Sequence, residues 1–357
     1  MIMRSFKNLG FLSVFMLPLL LFYGHQLGGS WNLLLPIFVF VAIPILDVVV
    51  GTNHDNLPQE DDPNPFYRIA LLSWVPLQLY LLVWIAPIVA QSSLSEIILM
   101  AFNIGLLTGG IGITIAHELG HKSRQVDKIS SQILLMTVCY MHFYIEHNRG
   151  HHVAVATPED PATARKGETF YAFWVRSVVK GYGHAWKLES ESWSRKGLNP
   201  INVRNAMIWY ALLPVAFCLL VMAIAFNPDD HINWWVYPFF FVLQSVIGFT
   251  LLELVNYVEH YGIVRKLDGS GRYERVNPLH SWNTSHLISN FFLFHLQRHS
   301  DHHTVASKPY QYLLHIDESP QLPSGYPGMI LLALIPPLWF RFMDSRLESW
   351  KKSLVPS

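Results

Sequence analysis

The chain has 357 residues, 25 basic and 25 acidic side chains, and 18 histidines. It is 51% hydrophobic and only 14% charged, against about 25% charged in soluble domains, which argues against a water-soluble enzyme and for a membrane protein. Zero net charge and no basic tract leave no nucleic-acid footprint. The two cysteines, Cys139 and Cys218, lie in apolar stretches without a CxxC pair, so no iron–sulfur-type or zinc-ribbon module is expected within the chain.

A membrane-crossing helix needs about 20 apolar residues to traverse about 30 Å of hydrocarbon. Six stretches qualify: 9–27, 31–51, 67–90, 94–116, 203–226 and 234–257. The first, preceded by Arg4 and Lys7, reads as a span rather than a cleaved signal, because no small-residue cleavage site follows and removal would break the even helix count. The acidic, proline-rich TNHDNLPQEDDPNP (52–65) is a turn between the second and third spans. The apolar segment 129–145 is short for a span and, if it crossed, would reverse every later helix; we read it as a helix at the membrane surface. GMILLALIPPLWFRFMD (328–344) is interrupted by Pro336 and Pro337 and reads as a cap or interface element.

With a cytoplasmic N-terminus, the outward connections 24–30, 91–96 and 227–233 contain no Lys or Arg. All basic residues then lie on one side: 3 at Arg4, Lys7 and Arg68, 12 in 122–204 and 10 in 265–352, as retention of basic loops in the cytoplasm requires. The expected fold is therefore an all-α membrane protein: six transmembrane helices with a cytoplasmic helical cap (117–202 and 258–357), forming one integral-membrane catalytic domain, 1–357. No internal repeat is visible.

Histidine makes up about 5% of the chain, and its placement is informative. HELGHK supplies His117 and His121, EHNRGHH supplies His147, His151 and His152, VEHYG supplies His260, and LQRHSDHH supplies His299, His302 and His303. At this frequency an HxxxH pair arises by chance roughly once per chain, but a fixed three-histidine box only roughly 0.04 times. Residues at i, i+3 and i+4 share a helix face; His152, at i+5 from His147, needs a helix end or turn to join. The fourth and sixth spans both run toward the cytoplasm, so their histidines emerge at the face where the other boxes lie. Nine imidazoles suggest two metal ions, each with four or five nitrogens and an open position. Imidazole alone does not choose among zinc, copper, iron and nickel, but a nitrogen-rich pair facing lipid suits oxygen chemistry on an apolar substrate. A zinc hydrolase or a metal transporter is the competing class. A transporter should carry polar groups within its spans, and the first three are nearly free of them apart from Asp47 and Gln78.

Glu118, Glu146, Glu259 and Asp301 each adjoin a candidate ligand and could receive the second N–H of a metal-bound imidazole, each supporting a ligand other than its neighbour. His142, His280, His286 and His295 lie near the boxes as either supports or packing. His25, His54, His184, His231 and His315 stand singly and read as structural or solvated.

HELGHK, EHNRGHH, NYVEHYG and LQRHSDHH, with DPATARKGE (160–168) and HSWNTSH (280–286), together resemble the membrane-bound alkane 1-monooxygenases across most of residues 100–330. HxxxH and HxxHH alone are shared with membrane fatty-acid desaturases and hydroxylases; NYVEHYG narrows the likeness to the hydrocarbon hydroxylases. The resemblance implies a centre of two non-haem irons (Fe2+/Fe3+) on the nine histidines, and terminal hydroxylation of medium-chain linear alkanes with O2. It also implies a multi-pass place in the bacterial inner membrane with the active site near the cytoplasmic face, and rubredoxin as electron donor, fed by an NADH-dependent rubredoxin reductase. Basic cap residues Arg149, Arg165, Lys166, Arg195 and Lys196 are then candidates for docking an acidic rubredoxin. Trp31, Phe38, Phe40 and Phe102 are candidates for lining the substrate channel. A fatty-acyl desaturase or hydroxylase is the alternative within the same chemistry.

Overall fold

The computed structural model describes residues 9–59, 64–225 and 235–354. Arg4, Lys7, residues 60–63 of the acidic loop and the connection 227–233 with His231 lie outside them. Among the described residues there is no β-strand, only three isolated bridges.

Six helices have the length and apolarity of membrane spans: α1 (Gly10–Leu27), α2 (Gly29–Val50), α3 (Pro65–Ala90), α4 (Leu94–Gly120), α8 (Ala206–Ile224) and α9 (Val236–His260). This is a multi-pass membrane protein, and its spans fall within a few residues of those expected from hydropathy. α4 and α9 run three or four residues past their apolar runs, so His117 lies in the last turn of α4, His121 caps it and His260 is the last residue of α9. The histidines at these ends are thus carried by span helices, not by loops.

Between α4 and α8 lie α5 (Gln125–Met136), the helical segment α6 (143–154) and α7 (Phe170–Ser194), and after α9 follow α10 (Leu287–Phe292), α11 (His299–Thr304), α12 (Tyr326–Ala333) and α13 (Pro336–Ser353). α5 holds 12 residues, about 18 Å of rise, too short to cross. Its polar side is anchored by Arg68 to Asp127 at 2.7 Å and by the Ser131 hydroxyl donating to the Ala116 carbonyl at 2.6 Å. The proline pair expected to interrupt 328–344 does so: α12 ends at Ala333 and α13 restarts at Pro336.

The chain forms two compact units, Met1–Phe38, Asp62–Ile145 and Ala185–Leu252 in one, and Val39–Asp61, Glu146–His184 and Glu253–Ser357 in the other. In the first, α4 widens into a π-helical stretch over Leu106–Ile113, LLTGGIGI. A Cβ on Gly109 would come within 2.4 Å of the Gly248 backbone on α9, so the two spans touch backbone to backbone. Polar side chains at this level satisfy one another, as an interior without water demands. Trp74 Nε1 donates to Gln78, Gln78 to Thr137, Thr108 to Gln244, and Gln244 to the Thr137 carbonyl, at 2.7–2.8 Å.

Candidate metal centre

The second unit brings His151, His260, His299 and His303 together, all buried, with their ligand nitrogens within 4.8 Å of one another. His299 and His303 are one turn apart on the six-residue α11, which the box HSDHHT nearly fills. His151 arrives on α6 and His260 at the end of α9. Among the described residues, His151 Nε2, His260 Nε2 and His303 Nδ1 are buried without a hydrogen-bond partner, and each such atom costs about 1–3 kcal/mol. Buried, unbonded imidazole nitrogens on residues whose ligand atoms lie this close together fit a metal ion, which takes such lone pairs as ligands. No thiolate takes part, unlike most structural zinc sites.

The ring of His151 is oriented by a residue that sequence reasoning passed over. Its Nδ1 lies 2.9 Å from Asp160 Oδ2, both groups fully buried. A carboxylate there assigns the proton to Nδ1 and leaves the Nε2 lone pair facing the cluster, the usual carboxylate–histidine–metal arrangement. Asp160 is itself fixed by the Ala162 N–H at 3.1 Å and the Thr163 hydroxyl at 2.6 Å. Burial pushes its carboxyl up, but His151 and Thr163 outweigh this and hold it below the usual range. Asp160 opens DPATARKGE, a loop with no helical spacing to single it out.

A second group in the same unit contains His147, His152 and His302. His152 Nε2 is 3.0 Å from His147 Nε2 and 3.2 Å from His302 Nε2. The i+5 spacing of His152, unfavourable on an α-helix, is resolved by a π-turn over His147–His151, in which the His152 N–H bonds the His147 carbonyl. Gly150 admits this turn beside His184, whose ring a Cβ would meet at 2.7 Å. One ring nitrogen can hydrogen-bond one of two opposed nitrogens, not both. A metal bonded at about 2.1 Å to ligands 90–110° apart separates them by about 3.0–3.4 Å, so this trio too fits a shared cation. In the first unit, the His117 and His121 rings stand perpendicular with centroids 5.0 Å apart at the end of α4.

Of the four carboxylates singled out beside the boxes, Glu259 places Oε2 3.2 Å from His299 Nε2. It thus reaches a histidine other than its neighbour. Glu146 Oε1 lies 3.3 Å from His184 Nδ1, and burial pushes its carboxyl up. His184, read as a lone structural residue, therefore joins the surroundings of the boxes. Glu118 pairs with Lys122 at 2.7 Å. Asp301 accepts from Lys308 at 2.7 and 2.8 Å and from the Leu314 N–H at 2.9 Å. Arg298, also overlooked, donates from beside the box to the carbonyls of Asn53, Asp55 and Leu313, fastening the 53–56 turn to it. Burial lowers His295 to about 3 and His142 to about 4, so both are neutral packing groups at ordinary pH. His54 and His315 form a third group with Asp317, but their rings stack at 3.9 Å, which sends the lone pairs out in parallel planes, and Ser285 and Asp317 already occupy both nitrogens of His315.

Trp31 is 54% exposed at the start of α2, Phe38 and Phe40 lie in a π-turn of the same helix, and Phe102 lies on α4, the three phenylalanines partly exposed. Arg149, Arg165, Lys166, Arg195 and Lys196 are all exposed. Lys166 pairs with Glu348, and Lys196 sits 4.5 Å over the Trp193 ring.

The family model described as fatty acid desaturase matches residues 92–333. Alkane 1-monooxygenase 2 of Pseudomonas aeruginosa is 44% identical, over 92% of this chain and 87% of its own length. Alkane 1-monooxygenase of Acinetobacter baylyi is 39% identical, over 90% and 78%. The xylene/toluene monooxygenase hydroxylase component of Pseudomonas putida is more distant, at 28% over 92% and 85%. With spans, histidine boxes and relatives in agreement over nearly its whole length, the chain belongs to the alkane 1-monooxygenases, membrane-bound oxidoreductases within the fatty acid desaturase family.

Proposed function

We propose that this enzyme hydroxylates the terminal methyl of medium-chain linear alkanes to 1-alkanols, drawing electrons from rubredoxin that an NADH-dependent reductase keeps reduced. The observation that carries the reading is the set of buried, partnerless imidazole nitrogens beside the end of α9, in a chain whose relatives bear the name alkane 1-monooxygenase. Two iron ions would supply the chemistry when bound, activating O2 so that one oxygen atom enters a C–H bond and the other leaves as water. One would be held by His151, His260, His299 and His303 and the other by His147, His152 and His302, with His117 and His121 proposed as further iron ligands.

The remaining residues bind, orient and exclude water. Asp160 holds His151 in its ligating tautomer, and Glu259 stands against His299. Trp31, Phe38, Phe40 and Phe102 are proposed to line the path of the alkane. Arg149, Arg165, Lys166, Arg195 and Lys196 are proposed to receive the acidic donor by charge complementarity. The one-sided distribution of Lys and Arg supports residence in the bacterial inner membrane, with residues 1–357 acting as one catalytic domain whose cap, 117–202 and 258–357, faces the cytoplasm.

The test is reconstitution of the purified protein with NADH, rubredoxin, its reductase and a series of alkanes. The expected result is O2-dependent 1-alkanol, lost in His260→Ala. The fatty acid desaturase description of residues 92–333 favours a second reading, oxidation of an acyl lipid. Desaturated or hydroxylated acyl chains, with no alkanol from any alkane in an iron-loaded preparation, would replace the first reading by the second.

A further inference from the structure

Glu259 occupies the last turn of a membrane span and is 1% exposed. A carboxylate so placed is tolerated only when its oxygens are engaged. Among the described residues one hydrogen bond reaches its side chain: the phenol of Tyr326 donates to Oε1 at 2.6 Å. Oε2, on the other side of the group, lies 3.2 Å from His299 Nε2. The carboxylate is therefore held between a phenol and a candidate ligand, and its plane is set by these two contacts.

Tyr326 is itself unable to drift. It is fully buried at the first residue of α12. Its backbone N–H donates to Gln297 Oε1 at 2.7 Å, Gln297 Nε2 donates to Ser289 Oγ at 2.9 Å, and the Ser289 N–H donates to Asp47 Oδ1 at 2.9 Å. Gln297 stands two residues before His299. The segment bearing the ligand and the segment bearing the phenol are thus clamped together, and the Trp282 N–H, bonded to the Glu259 carbonyl at 2.8 Å, fixes the backbone on the third side.

We propose that Tyr326 is a positioning residue of the metal centre: by occupying Oε1 of Glu259 it fixes Oε2 against His299, and so sets the orientation of that ligand. The inference rests on the reading of His299 as a ligand. Tyr326→Phe keeps the ring and deletes the only donor to Oε1 among the described residues, leaving Glu259 free to rotate.

The experiment is iron binding by the purified full chain, measured by competition with a chromogenic Fe(II) chelator and by the spectrum of the Fe(II)–nitric oxide adduct. Loss of an outer support typically costs 10–100-fold in metal affinity. Tyr326→Phe should weaken iron retention at least about tenfold and alter the adduct spectrum, with the melting temperature of the iron-free protein little changed. Because Tyr326 acts through Glu259, the double variant Tyr326→Phe with Glu259→Gln should bind iron no more weakly than Glu259→Gln alone. Wild-type retention and spectrum in Tyr326→Phe, or effects of the two substitutions that simply multiply, would overturn the proposal. If Tyr326→Phe fails to accumulate, Glu259→Gln, which keeps an acceptor for the phenol, decides by the same reading: weaker retention supports the carboxylate's role, and unchanged retention removes it. Iron binding is read without alkane, so a failure here with 1-alkanol still formed rejects Tyr326 alone. Iron binding as expected with no 1-alkanol rejects the proposed substrate alone.

Discussion

Asp160 and His151 form a fully buried pair at 2.9 Å, and this contact decides which imidazole nitrogen faces the cluster. Asp160→Asn keeps an acceptor but removes the charge that favours the N–H on Nδ1, so iron retention should fall about 10–100-fold, read as iron per chain against chelator concentration. The loop that delivers Asp160 is held by Arg176, which donates to the carbonyls of Pro161 and Thr163 and, in a two-point fork, to Glu168. Burial pushes Glu168 up, yet the fork and the Arg165 N–H outweigh it and leave the carboxyl below its usual range. A depressed folded-state pKa stabilises the fold above the unfolded value, about 4.3, and that contribution disappears as pH falls through the folded value. Glu168→Gln should therefore lower the melting temperature in detergent at pH 7 by an amount that shrinks toward pH 3; a difference independent of pH would show that the charge contributes nothing. At this scale the histidine boxes were visible because residues at i, i+3 and i+4 share a helix face and stand out as a repeated spacing. Asp160 was not, because it lies in a loop without helical spacing, and neither were His184 and Tyr326, whose partners Glu146 and Glu259 lie 38 and 67 residues away in the chain.

α4 and α9 meet where Gly109 faces Gly248, with no room for a Cβ, whereas a Cβ on the adjacent Gly110 would meet nothing within 4 Å. The pair provides its own control. Gly109→Val must force two backbones apart, at or above the roughly 1–3 kcal/mol of ordinary overpacking. Gly110→Ala should stay within about 0.5 kcal/mol of wild type, as substitutions away from special features do. Thermal unfolding in detergent distinguishes them, and equal behaviour of the two variants would mean that the contact between the helices is not tight. The positions of the six spans were readable from hydropathy, because apolar length is what a bilayer demands. The extensions of α4 through HELG and of α9 through VEH were not, since hydropathy falls as soon as the polar site residues begin although the helix continues. The π-turn of α6 was equally hidden; it leaves no compositional mark, and only the awkward i+5 spacing of His147 and His152 pointed to some departure from α-helix.

Six apolar helices carrying a histidine-rich site make the lipid phase the reservoir from which an alkane would be drawn. At about 0.8 kcal/mol per CH2, octane favours lipid over water by about 6 kcal/mol, four to five orders of magnitude. An entrance opening to water would see little substrate, and less for every added carbon. An apolar channel resembles lipid, so moving one more methylene from bilayer to site changes the free energy by about zero, whereas moving it from water changes affinity about fourfold. Expressed per mole fraction of alkane in the membrane, kcat/KM should therefore stay flat from octane to dodecane, until a side chain at the end of the channel stops longer chains abruptly. Capture from water limited by encounter, whose rate does not rise with chain length, predicts instead a steady fall of about fourfold per carbon, roughly 250-fold across the same four methylenes. Measuring the series in proteoliposomes at matched membrane mole fractions separates the two. A flat profile with a sharp edge assigns length selection to steric contact, and the partly exposed aromatic side chains of α2 and α4, Phe38, Phe40 and Phe102, are the first positions to shorten in search of the residue that sets it.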